Sequence, residues 1–147
     1  MDLDNQSMDG IVLSKTMNLD LSGTIANAGY CAVKVLSSNS GDWEFDGLNL
    51  NNNGVGVTHD GSGTVFMSDT TMSGNTQDVT MSGTAAMEYL EGDIDDTKVS
   101  ISDSAKFTRQ RSLDVSISAD STAVDGARVK VLDANNAVID SGTTDSS

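Results

Sequence analysis

Short apolar-x-apolar triplets recur along the chain: Met17-Asn18-Leu19, Trp43-Glu44-Phe45, Val65-Phe66-Met67 and Met87-Glu88-Tyr89. The last three start 22 residues apart, and Phe107 follows after another 20. A second phase runs through Leu48-Asn49-Leu50, Thr70-Thr71-Met72 and Gly92-Asp93-Ile94, again at steps of 22. A third runs through Ile11-Val12-Leu13, Ala32-Val33-Lys34-Val35, Val55-Gly56-Val57, Val79-Thr80-Met81 and Val99-Ser100-Ile101. Each run is too short for an amphipathic helix and alternates with period 2, which is the pattern of a strand. Three strands in every 20–25 residues form the repeat of a coiling chain. The pattern predicts an all-β, three-faced parallel β-helix of about five coils. Residues of equal phase stack inward: Leu50, Met72 and Ile94 in one column, Val55, Val79 and Val99 in another.

Between the runs lie Asn51-Asn52-Asn53-Gly54, Asp60-Gly61-Ser62-Gly63, Ser73-Gly74-Asn75 and Asp93-Ile94-Asp95-Asp96. Asn, Asp and Gly tolerate the left-handed backbone of a sharp corner. They mark the corners of coils at 42–63, 64–85 and 86–105, and asparagines stacked there can bond to their copies above and below. The coil at 17–41 carries extra residues in Ser37-Ser38-Asn39-Ser40-Gly41, and 2–16 reads as an incomplete first coil. Proline is absent, so every strand is free to be a central one; a residue without N–H would break the ladder.

From Lys106 the pattern changes. Leu113-Asp114-Val115-Ser116-Ile117 reads as a longer alternating strand. Ala127-Arg128-Val129-Lys130-Val131-Leu132 and Ala137-Val138-Ile139-Asp140, joined by Asp133-Ala134-Asn135-Asn136, read as a C-terminal antiparallel β-hairpin. The expected division is a parallel β-helix over 1–112 and a strand-and-hairpin segment over 113–147.

Residues 2 to about 118, through the step Gly54-Val55-Gly56-Val57, its relatives and the period, resemble the right-handed parallel β-helix repeats of surface proteins, adhesins and polysaccharide-active enzymes. The resemblance implies a right-handed coil and an architecture, without specifying an activity. Residues 113–147 are similar to the first half of an immunoglobulin-like, carboxypeptidase-regulatory-type module of large secreted proteins. The carriers are Val124-Asp125-Gly126-Ala127-Arg128-Val129-Lys130-Val131 and Asp140-Ser141-Gly142-Thr143-Thr144-Asp145. Together the two resemblances imply a piece of a longer, multi-domain surface protein.

Charge narrows the partners. With 22 Asp+Glu against 8 Lys+Arg, the net charge of −14 repels nucleic-acid phosphate and anionic lipid, so neither is expected as a partner. No stretch is long and apolar enough for membrane insertion, and Met1-Asp2-Leu3-Asp4 reads as a mature start rather than a signal peptide. Glu occurs only at 44, 88 and 91; the remaining acid is Asp, whose short side chain in turns suits backbone bonding and calcium coordination. The densest cluster, Glu91, Asp93, Asp95 and Asp96, is the candidate calcium site, although its spacing matches neither an EF-hand nor the calcium-binding nonapeptide repeat. Asp46, Asp69 and Glu91, at steps of 23 and 22, form a candidate acidic ladder whose repulsion a cation would relieve.

His59, in Thr58-His59-Asp60-Gly61, reads as a solvated corner residue. Arg109 and Arg111 share one strand face, placed either to grip a carboxylate sugar or to pair with surrounding Asp. Cys31 is the only cysteine; its apolar setting in Tyr30-Cys31-Ala32-Val33 predicts a small buried side chain. These features point to a non-catalytic extracellular structural or adhesive module: a stalk, filament or cell-surface unit. Its expected partners are further copies added at the β-helix ends, neighbouring domains of the same protein, and a glycan. The alternative is a carbohydrate-binding or polysaccharide-cleaving β-helix, which needs a groove and clustered catalytic side chains.

Overall fold

The computed structural model describes residues 2–14, 21–113, 115–120, 122–132 and 134–145. Met17-Asn18-Leu19 lies outside them. The chain divides into two compact units, Met1–Ser112 and Leu113–Ser147.

The first unit is a parallel β-solenoid. Its strands are β1 (Asp2–Asp4), β2 (Ile11–Leu13), β3 (Leu21–Ala26), β4 (Cys31–Val35), β5 (Trp43–Asn51) and β6 (Val55–His59). They continue as β7 (Thr64–Ser68), β8 (Thr71–Ser73), β9 (Gln77–Met81), β10 (Ala86–Leu90), β11 (Val99–Ile101) and β12 (Lys106–Gln110). One sheet runs β1-β3-β5-β7-β10-β12 with β8 joined to β5, and the other runs β2-β4-β6-β9-β11. The three phases of the sequence are all present, two of them within one sheet. β5 is long enough to serve both, pairing Trp43–Asp46 with β7 and Asn49–Asn51 with β8.

The two segments of β5 meet at Gly47, whose φ is +66°, and the residues in register with it, Asp69 and Glu91, are also left-handed at 47° and 57°. A second stack of left-handed residues is Asn5, Asn27, Asn52 and Gly74, and a third contains Gly83 and Asp103. Left-handed backbone costs an ordinary L-residue roughly 1–2 kcal/mol, least for Asn and Asp, so the corner composition follows from the geometry. Corner asparagines also tie the coils together. Asn53 and Asn75 are buried; Asn53 Nδ2 and backbone N both donate to Asn75 Oδ1, at 3.1 and 2.8 Å. Asn53 Oδ1 accepts from Ala28 N, and Asn75 Nδ2 donates to Leu50 O and to the buried Asp78 carboxylate.

The core is a set of columns parallel to the solenoid axis. Trp43, Val65, Met87 and Phe107 share one level, and Leu21, Phe45, Met67 and Tyr89 the next. Leu3, Ile25, Leu50 and Met72 continue to Ile94 through the Thr71–Asp93 bridge, as the sequence predicts for the last three. In the second sheet Ile11, Val33, Val57, Val79 and Val99 form one column. Val57, not Val55, is the member level with Val79; Val55 pairs with Gln77. Two residues make no difference to which face a side chain takes, so periodicity alone cannot choose between them. The Asn53–Asn75 bonds fix the step at this corner, and Gly56 accommodates it, because a Cβ there would stand 2.6 Å from Asp78 O.

Among its described residues the second unit holds two antiparallel pairs. β13 (Ser118–Ala119) pairs with β14 (Thr122–Ala123), and β15 (Arg128–Leu132) pairs with β16 (Val138–Thr143), the predicted hairpin, with an irregularity between Val131 and Leu132. The expected strand at 113–117 is not formed in the described residues there. Alternation supplies the side-chain pattern, but a strand also needs a hydrogen-bonded neighbour. Leu113 and Val115 are 64% and 44% exposed, and the described backbone link is a single bond from Val124 N to Ile117 O.

Candidate functional site

The outward positions of β5, β7, β10 and β12 make two columns. Glu44, Phe66, Glu88 and Thr108 share one level, while Asp46, Ser68, Leu90 and Gln110 share the other. An open groove of about 370 Å³ is lined by Glu44, Phe66, Ser68, Glu88, Leu90 and Gln110. That volume falls in the roughly 300–1,000 Å³ range of small-molecule sites. Phe66 and Leu90 are each 39% exposed. Ser68 Oγ donates to Asp46 Oδ1 at 2.7 Å, while Glu44 and Glu88 make no hydrogen bond or ion pair among the described residues. The groove has a legible signal in retrospect: Phe66 occupies the middle of its triplet, where the coils on either side place glutamate.

The four acids of the candidate calcium site have separate engagements. Glu91 accepts from Ser112 N, and hydrogen bonding from the Ser112 side chain and backbone holds its carboxyl below the usual range. Asp93 pairs through its backbone with Thr71, and its carbonyl receives Met72 N and the Tyr89 hydroxyl. Asp95 caps a 3₁₀ turn over Asp96–Lys98, accepting from Thr97 Oγ1 at 2.6 Å and Thr97 N at 3.0 Å, which lowers its pKa. Asp96 pairs with Arg109 at 2.8 Å. Among the described residues no three His, Cys, Asp or Glu side chains converge in a way that could hold a metal ion. The candidate ladder Asp46–Asp69–Glu91 keeps two of its members: Asp69 and Glu91 are level, but Asp46 lies one position earlier, opposite Ser68.

His59 is not a solvated corner residue. It is fully buried, in the column Leu13, Val35, His59, Met81 and Ile101. Gly61 N donates to its Nδ1 at 3.2 Å, so Nε2 carries the proton and donates to Gly63 O at 2.9 Å. Burial lowers its pKa. The ring therefore closes the Asp60-Gly61-Ser62-Gly63 corner from inside.

Arg109 is level with Tyr89 and half-buried, and its Nη1 is the atom that meets Asp96. Arg111 follows β12 and is exposed. Tyr89 is buried, with its hydroxyl directed at the carbonyls of Thr70 and Asp93, and burial pushes its pKa up. Cys31 is buried as predicted; its Sγ donates to Val33 O at 2.9 Å, and burial raises the thiol pKa. Compared with protein-family models, curated proteins and solved structures, the chain matches none.

Proposed function

We propose that this chain is a non-catalytic structural or adhesive module of an extracellular surface, a stiff spacer that presents fixed outer faces. The observation that carries the reading is the continuity of the inner columns from coil to coil, stitched by Asn53 and Asn75. Every backbone group spent on the ladder binds one coil to the next, so extension along the axis must break coils apart in sequence. Five coils at ~4.8 Å per rung give a rod of roughly 24 Å. Its corners are built from small and acidic residues, which favours solubility over lateral clustering.

Further copies of the chain, or neighbouring domains of the same protein, are the partners this reading favours. The sheets end in β1 and β12, and in β2 and β11. Such edges take an added strand readily. We read the hairpin β15–β16 as the first strands of an immunoglobulin-like module; Val129 and Val131 are half-buried while Val138 and Ile139 remain exposed.

The test has two arms. Purified chain is incubated with pectin, alginate and neutral glycans, and separately stretched in single-molecule pulling. No turnover, together with unfolding in discrete steps, is the expected result. Steady release of reducing or unsaturated ends would establish the polysaccharide-cleaving alternative instead.

A further inference from the structure

Beyond that reading, we infer that the groove on β7 and β10 binds a compact organic ammonium ion, of which a protonated amino sugar is the form that engages the whole lining. Phe66 stands in register between Glu44 and Glu88. Its ring thus has a carboxylate on the rung below and another on the rung above, each ~4.8 Å away along the axis. A cation over the ring gains from the π face, and the carboxylates add to that attraction from either side. Neither carboxylate has a hydrogen-bond or ion-pair partner among the described residues, so the site's charge is uncompensated there in a molecule of net −14. An anionic ligand is repelled. A neutral one can stack on Phe66 but leaves both carboxylates to water.

The rest of the lining defines the ligand further. β7 and β10 are interior strands, with neighbours on both sides in the order β5-β7-β10-β12. Their backbone groups are committed to the ladder, so a peptide cannot add here as a strand and recognition falls to side chains. Ser68 donates to Asp46 and keeps lone pairs for a ligand hydroxyl or ammonium; Gln110 brings an amide that donates and accepts. Leu90 extends the apolar floor beside Phe66. A divalent metal ion is disfavoured, since it asks for several converging oxygens and the Phe66 ring separates the two glutamates.

The experiment titrates the full chain with a glucosamine tetramer, its N-acetylated counterpart, choline and Ca²⁺, followed by calorimetry and by chemical shifts at physiological ionic strength. The tetramer should bind saturably and its N-acetylated form about tenfold more weakly or worse, since acetylation removes the charge. Choline should bind more weakly than the tetramer but compete with it. Phe66→Ala and the double variant Glu44→Gln/Glu88→Gln should each weaken tetramer binding about tenfold. Both variants alter outward side chains, and an unchanged melting temperature verifies that they fold. Equal binding of the acetylated and free amine, absence of saturation, stronger binding of Ca²⁺, or affinity unaltered by Phe66→Ala in a folded variant would each overturn the inference.

Discussion

The imidazole of His59 takes a place that its column otherwise gives to Leu13, Val35, Met81 and Ile101. It does so because both nitrogens are satisfied by its own corner: Gly61 N supplies a donor and Gly63 O an acceptor. Adding a proton to Nδ1 would set two N–H groups against each other inside the core. The folded-state pKa is lowered from 6.5, so the unfolded chain binds the proton first. Stability from this residue is therefore complete above pH 6.5 and is lost as pH falls from there through the folded pKa. Thermal melts at a series of pH values should show that loss before the carboxylates titrate. His59→Met should flatten this part of the profile while costing ~1–3 kcal/mol at neutral pH, because the buried Gly61 N loses its acceptor, whereas Gly63 O keeps the bond from Ala86 N. The burial of Cys31 was legible from its apolar neighbours. That of His59 was not, because the adjacent Asp60-Gly61-Ser62-Gly63 advertises a turn, and the phase of the repeat had to be trusted over local composition.

At the level of elements, the step between coils was legible wherever a large residue recurred. Trp43, Val65, Met87 and Phe107 fall on one level as their spacing requires. Where two valines stood two residues apart the spacing was ambiguous, and the corner asparagines decided it. That makes the corner bonds an energetic as well as a geometric feature. Asn75→Ala would leave Asn53 N without its acceptor and remove one donor each from Leu50 O and Asp78. With one buried donor orphaned at ~1–3 kcal/mol and two further buried bonds lost at about 1 kcal/mol each, the predicted loss is several kcal/mol, read as a fall in the denaturant midpoint. Thr76→Ala, at the exposed neighbour, should leave that midpoint almost unchanged. The segment 113–117 shows the opposite limit, since its alternation was clear and no strand forms among its described residues. Pairing depends on what lies beside a segment, which its own residues do not encode. The groove was missed for a related reason: an outward Phe66 matters only through the glutamates that other coils set beside it.

Across the whole molecule, the register fixes what an end-to-end contact between copies would juxtapose. The column Asp2, Thr24, Asn49, Thr71 and Asp93 begins and ends in acid. One more rung supplied by a second copy would set Leu3 over Ile94, Ile11 over Val99 and Leu13 over Ile101, all apolar matches. It would also set Asp2 over Asp93 and Asp4 over Asp95. Like charges on adjacent rungs repel, and a divalent cation between them would turn that repulsion into a bridge. The chain should therefore stay monomeric at low ionic strength and associate with rising Ca²⁺ beyond what NaCl of matched ionic strength produces. Sedimentation velocity reads this directly. An Asp2→Asn/Asp93→Asn variant should associate without the cation, whereas an equal response of the parent chain to both salts would reduce the effect to screening.

The even step between β7 and β10 has a consequence for length. Residues 64–85 carry the chain once around the axis and return it to the same level, since Thr64 is matched by Ala86 and Ser68 by Leu90. Excising that turn would bring Met87 onto Trp43, Tyr89 onto Phe45 and Ile101 onto His59, with each inner column closed up and none interrupted. Repeating it would lengthen every column by one member. A chain built this way can be cut or extended in whole turns by a single genetic event, so reach, rather than shape, is the property that mutation can change most freely.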